Sequence, residues 1–257
     1  AFPIPTAPDK LPTAKFKLPP GFKVETWASG VLDAREMRQG DKGNIFVSTL
    51  FVGMAGGSLS GDFAYTLIRT LEAFLIAAVV GVPVGVLLGS NERAYRSVEF
   101  VIDFFRSTPS SALIPLFLMI FGVSDINKVA IAAFGALLIV LFNSAYGVIN
   151  ARKQRVMAAK VMGATRWQIF KDVLIWESLQ PTFVGLRSAV SMALVIVIVA
   201  EMFIGSERGL GHRIIDSQQV MNVRDMYASI LAAGGLGYAL NVLFLMLEKR
   251  IVHWSGR

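Results

Sequence analysis

The sequence contains no cysteine, which excludes disulfides, thiolate metal sites and thiol nucleophiles. Histidine is almost as scarce. His212 and His253 stand far apart, without metal-ligand spacing, so no catalytic metal is expected. No G-x-x-x-x-G-K-S/T stretch occurs, so the chain is not itself a nucleotide-hydrolysing subunit. Charged residues make up only 17% of 257 positions, against 54% hydrophobic and a mean hydropathy of +0.58, which is too apolar for a soluble domain of this length. The bilayer is therefore the first solvent to consider. The net charge of +7 does not point to nucleic acid, because the cations are spread between apolar runs and form no basic face interleaved with aromatics. Retention of positive loops on the inner side of a membrane explains them more simply. No cleavable leader is visible ahead of "AFPIPTAPDK", as in a processed product.

Five segments approach the roughly 20 residues a helix needs to cross a hydrocarbon core: about 67–89, 101–122, 128–149, 183–204 and 228–247. The second contains "RSTPSSALIP", where Pro109 and Pro115 predict a short or broken helix. Arg93 and Arg96 follow the first span, Arg152, Lys153, Arg155, Lys160, Arg166 and Lys171 the third, and Lys249, Arg250 and Arg257 the fifth. These connections are expected on the cytoplasmic side. The others hold Lys128 alone, or Arg208, Arg213 and Arg224 offset by Glu207, Asp216 and Asp225, and are expected outside. An odd number of spans with the C-terminus inside places the N-terminus outside.

Residues 1–56 differ in kind. "GFKVETWASG" and "GNIFVSTLFVG" alternate like strands around the turn-rich "QGDKGN", which predicts a short β-hairpin-like segment. "LPPGFKVETWASGVLDAREMRQGDKGNIFVSTLFVG", about residues 10–55, resembles the start of a sorbosone/glucose dehydrogenase-type β-propeller. No further blade repeats after it, so this segment reads as an extracytoplasmic fusion or passenger.

Between the third and fourth spans lies "VMAAKVMGATRWQIFKDVLIW", within a cytoplasmic element at 151–180. Gly163 sits where a left-handed residue ends a helix. Thr165 and Gln168 form the T-x-x-Q box that starts another. Ile169, Val173 and Trp176 recur at i, i+4 and i+7, which predicts a short amphipathic helix along the inner membrane surface. An interfacial anchor would carry the same pattern.

"AAKVMGATRWQIFKDVLI" resembles the EAA motif of ABC-transporter permease subunits, and the likeness to the nitrate/sulfonate/taurine branch extends from about residue 58 to the end. It is carried also by "SVEFVIDFFRSTPSSALIPLFLMIFGVSDINKVAIAAFG", "VGLRSAVSMALVIVIVAEMFIGSERGLGHRIIDSQQ" and "LEKRIVHW". The resemblance implies an all-α integral membrane protein with about five transmembrane helices, like a type I ABC importer permease, occupying residues 57–257. It implies a homodimer in the bacterial inner membrane, two cytoplasmic ATPase subunits holding ATP and Mg, an extracytoplasmic solute-binding protein, and a small oxyanion as cargo: a sulfonate, taurine, nitrate or bicarbonate. The chain itself binds no cofactor and performs no covalent chemistry on this reading. Ala158, Ala159, Gly163, Thr165, Arg166, Trp167, Gln168 and Phe170 become the ATPase-coupling residues. Met157 stands where the family usually has Glu, and Trp176 and Gln180 near its usual prolines, with Pro181 offset by one. The family's usual first span of six has no counterpart here.

Other residues carry two readings each. Gly81, Gly85 and Gly89 are spaced for close helix packing, within one subunit or across a dimer seam. Arg106, Ser107, Thr108, Ser110 and Ser111 surround the break, as substrate-path candidates or as helix caps near the inner interface. Glu201 interrupts an apolar run, and either contacts substrate or has a structural role, capping the following turn or pairing with Arg208 or Arg213. "GSERGLG" suits a tight re-entrant turn. Two other functions stay open: a fragment of an exported quinone-dependent propeller dehydrogenase, and an ion-coupled carrier, which would show inverted repeats with ionisable residues in both halves.

Overall fold

The computed structural model describes residues 53–54 and 59–252. The hairpin and propeller-like segment expected in 1–56, His253 and Arg257 lie outside the described residues. Among the described residues the regular structure is helical throughout.

Helix α1 (Ser60–Ser90) ends at Asn91, whose side chain turns to accept the amides of Arg93 and Ala94 and starts α2 (Glu92–Ser107). α2 stops at Thr108 because the residue before a proline is pushed to extended backbone, here φ −83° and ψ 126°. After Pro109 a 3-10 turn (Ser110–Leu113) leads into α3 (Ile114–Phe121), whose first turn accommodates Pro115 without losing a hydrogen bond. The two halves meet at 90°. The broken second span expected from the prolines is therefore present.

α4 (Asp125–Ile149) is capped by Ser124 and followed by α5 (Lys153–Val161). A single α turn, α6 (Arg166–Ile169), passes through a π turn (Phe170–Leu174) into α7 (Ile175–Phe203). α8 (Leu210–Gln219) and α9 (Val223–Ile251) complete the chain. Among the described residues four helices are long and apolar enough to cross a membrane: α1, α4, the run Arg166–Phe203, and α9. The bent pair makes a fifth if counted as one span.

α4 is the axis of the bundle. Its apolar window is 61% buried, against 28% for α1 and 22% for α9, whose outward faces are apolar and suited to lipid. α1 runs parallel to α4, and Gly81, Gly85 and Gly89 face it. A Cβ at Gly85 would lie 2.6 Å from the Leu141 carbonyl oxygen, and one at Gly89 the same distance from that of Ala145. The glycine stripe thus packs inside this chain. α7 runs antiparallel to α4 on its other side, with Gly185 against Asn143 and Gly147 against Ser178. Buried Ala73, Ala77, Ala132, Ala136, Ala189 and Ala193 keep the three helices close. One end of this bundle gathers the ends of α1, α4 and α9 with α5 and α6, and most of the Lys and Arg. The other holds the starts of α1, α4 and α9 with α8.

Candidate functional site

The basic end carries an elbow. α5 closes in a Schellman arrangement: the Gly163 amide donates to the Lys160 carbonyl and the Ala164 amide to that of Ala159, both at 3.0 Å. This needs a left-handed residue, and Gly163 has φ +81°. Thr165 Oγ1 then accepts from the Gln168 amide at 3.3 Å while Gln168 Oε1 accepts from the Thr165 amide at 2.8 Å, the expected capping box. Two ion pairs from Glu177 to Arg152 and Arg155 fasten α5 to α7.

The elbow presents apolar side chains outward. Met162 is 86% exposed, Val161 83% and Trp167 68%, and the Trp167 ring stacks on Phe170 at 5.5 Å. Arg166, Gln168, Ala158 and Thr165 are exposed around them, and Ala159 and Phe170 half-buried. Val161 and Met162 are missing from the coupling residues read from the sequence. The signal was available, because apolar residues just before a helix-ending glycine fall at the tip of the turn.

The separate amphipathic helix ending at Trp176 requires correction. α6 is one turn long and continues through the π turn into α7, so the helix is continuous. A π turn holds an extra residue, which rotates everything after it relative to an α-helix. Ile169 is accordingly buried, Val173 half-buried and Trp176 54% exposed, so the three do not share a face.

At the opposite end a buried polar network joins four elements. Glu201, 0% exposed near the end of α7, accepts from Thr66 Oγ1 at 2.9 Å, from Arg69 Nη1 at 2.7 Å and from the Gly211 amide at 2.9 Å. The expected capping of the following turn is therefore seen, while the partner is Arg69, not Arg208 or Arg213. Arg69 also reaches Asp125 at 2.7 Å and the Arg208 carbonyl at 2.8 Å. Lys128 Nζ binds Asp125 at 3.0 Å and Ser206 Oγ at 3.2 Å. Asp62 takes the Gly209 amide at 2.9 Å and Arg213 at 3.2 Å. Gly209, at φ +131°, lets the 204–209 segment fold back into the bundle, where any Cβ would fall on the Glu201 carboxylate. Above the network opens a polar cavity of about 670 Å³ lined by Tyr65, Arg69, Asp125, Lys128, Ser206 and Arg208.

The residues at the helix break do not converge with Glu201. Arg106 lies 3.7 Å above the Phe142 ring and pairs with Asp103 at 3.2 Å; Thr108 caps the Phe104 carbonyl at 3.0 Å. Ser107 is exposed, Ser110 is buried against Gly135 of α4, and Ser111 opens on a cavity of about 520 Å³ beside Val199 and Phe203. Arg69, the centre of the opposite network, was not singled out in the sequence. Its signal was an arginine inside "YTLIRTLEAFLIAAVV", an ionisable residue of opposite sign to Glu201.

Residues 81–254 match the family described as "Binding-protein-dependent transport system inner membrane component". A probable ABC transporter permease protein of Brucella abortus (strain 2308) is 29% identical over 79% of this chain and 81% of its own length. The putative aliphatic sulfonates transport permease of Bacillus subtilis (strain 168) is 26% identical over 78% of this chain and 72% of its own. Other relatives, named as taurine, nitrate and bicarbonate permeases, are 24–26% identical. The fold matches that of the methionine ABC transporter MetNI in an inward-facing conformation, with a TM-score of 0.65 at 23% identity, covering 79% of this chain and 98% of the other.

Proposed function

Since the chain belongs to the inner membrane components of binding-protein-dependent transport systems, as a multi-pass permease subunit of an ABC importer, we propose that it imports a small oxyanion as a homodimer. Two ATPase subunits dock on the elbow at Val161–Trp167, and an extracytoplasmic solute-binding protein delivers the cargo. The cargo is a sulfonate, taurine, nitrate or bicarbonate, the chemistry named for its relatives. The basic end, with the elbow, faces the cytoplasm, and the starts of α1 and α4 face outside; the arrangement of Lys and Arg supports this.

One observation carries the coupling role. The elbow holds Val161, Met162 and Trp167 out on a rigid turn at the basic end, away from the apolar outer faces of the spans. Apolar side chains of this size on a tip ringed by Arg166, Lys160 and Lys171 suit a protein groove. ATP and Mg belong to the ATPase subunits. Closure of those subunits displaces the elbow, the helical run Arg166–Phe203 carries the displacement into the bundle, and the spans rock to open a path to alternate sides. The chemistry stays in the partner.

Co-expression with the ATPase subunit tests this. The wild-type chain brings the ATPase down through purification, and Val161→Asp or Trp167→Ala reduces its recovery about ten-fold or more, as for loss of an anchor at an interface centre. If the wild-type chain retains no ATPase, or if both variants retain it fully, the coupling role is wrong.

A further inference from the structure

Between the elbow and the polar cavity at the opposite end, polar side chains open onto a groove. It has a volume of about 470 Å³ and lies between α4, α7 and α9, lined by Ile139, Arg187, Ser188, Ser191, Val195 and Asn241 among others. Its depth follows from helix rise. At 1.5 Å per residue, Arg187 lies about 6 Å inside the basic end of the 183–204 span and Asn241 about 9 Å inside that of the 228–247 span. Both stand beyond the basic interface, in the adjoining half of a hydrocarbon core about 30 Å thick.

A half-buried arginine and an exposed amide inside a hydrocarbon core are not expected to face lipid. Leaving such groups in hydrocarbon costs several kcal/mol each. Arg187 is 33% exposed, Ser188 and Asn241 are exposed, and the Asn241 side chain makes no hydrogen bond among the described residues. The donors are also uncommitted in kind. Ser188 and Ser191 donate to the carbonyls of Val184 and Arg187, four residues back, so the groove's free donors are the guanidinium and the amide. Arg187 has one acidic neighbour, Glu248, at 3.6 Å, beyond good hydrogen-bonding distance, and the buried Glu248 Oε2 has no hydrogen bond. The pair is loose, so an anion in the groove competes with Glu248 for the guanidinium without first breaking a tight bidentate bond.

We propose that Arg187, with Asn241, forms an oxyanion contact in a water-filled path along the α4–α7–α9 groove, with Glu248 holding the guanidinium when no anion is present. This rests on the oxyanion reading above, and its test does not require transport. The full chain in lipid nanodiscs is treated with phenylglyoxal, an arginine reagent, and labelling at Arg187 is read by mass spectrometry. Arg187 reacts in buffer; nitrate or ethanesulfonate slows its labelling about ten-fold at concentrations on the order of ten times the dissociation constant, and neutral glycerol does not. No labelling without anion, no protection by either anion, or equal protection by glycerol overturns the proposal. Protection in a chain that retains no ATPase would leave the site standing while the permease reading fell.

A second arm separates anion binding from simple neutralisation of Glu248. In vesicles reconstituted with the ATPase and binding protein, Arg187→Ala lowers uptake about ten-fold or more, and adding Glu248→Gln to it does not restore uptake. Restoration in the double variant means that Arg187 only balances a buried carboxylate, and the proposal fails.

Discussion

Glu201 is satisfied by three donors from two helices, α1 and α8, and none of its surface reaches solvent. Removing one partner from such a pair leaves the other buried and under-compensated, which costs on the order of 3 kcal/mol even with Asp125 still beside Arg69. Glu201→Ala is expected to lower the thermal midpoint in detergent clearly. Replacing both groups, as Glu201→Leu with Arg69→Met, should lose less than the two single variants summed; an additive result would show that the two side chains do not act as a pair. At this scale little was legible in advance. Glu201 stood out as an ionisable residue in an apolar run, but the sequence neighbours Arg208 and Arg213 drew attention from Arg69, 132 positions away. Arg187 carries no local signal for the same reason: its place in the groove is set by the packing of α7 against α9.

The elements were more legible, because their punctuation is local. Pro109 ends α2, Gly163 closes α5 and Thr165 opens α6 through rules that act within four residues. The π turn escaped, since a one-residue register change is decided by what the helix packs against and leaves no composition signal. Two variants separate the contributions. Thr165→Ala removes the cap and should weaken the elbow by about 1 kcal/mol, seen as faster backbone amide exchange at 160–169 with the spans unchanged. Deleting exposed Asp172 removes the extra residue and lets the run become α-helical throughout, with the elbow kept close to its place relative to α7, because five residues of a π turn and four of an α-helix turn through nearly the same angle. The expected outcome is a folded chain that still supports ATPase-driven uptake; lost uptake in a folded chain would show that the π turn itself is needed.

For the molecule as a whole, the spans could be read from hydropathy, and each of the five overlaps a long helix or the bent pair, with the fourth starting well before its expected bound. The parallel course of α1 and α4, and the antiparallel course of α7, follow from alternate crossing once the bent pair counts as a span. Sidedness can be checked directly because the chain has no native cysteine. Single cysteines at Met162 on the elbow and at Val220, just after α8, are both placed at exposed positions, 86% and 74%. A membrane-impermeant maleimide should label Val220→Cys in intact cells and Met162→Cys only in inverted vesicles; the reverse pattern would invert the assigned orientation.

The network around Glu201 ties together the elements that border the polar cavity. Its carboxylates and cations come from α1, α4, α7 and α8, and the amides they hold belong to the folded-back segment and α8. No element can withdraw alone without stranding a charge supplied by another. Partial opening is therefore the most expensive state, and the fully joined and fully parted states are the low ones. This end of the bundle is therefore expected to act as a switch with two positions, which the loosening of a single contact does not throw.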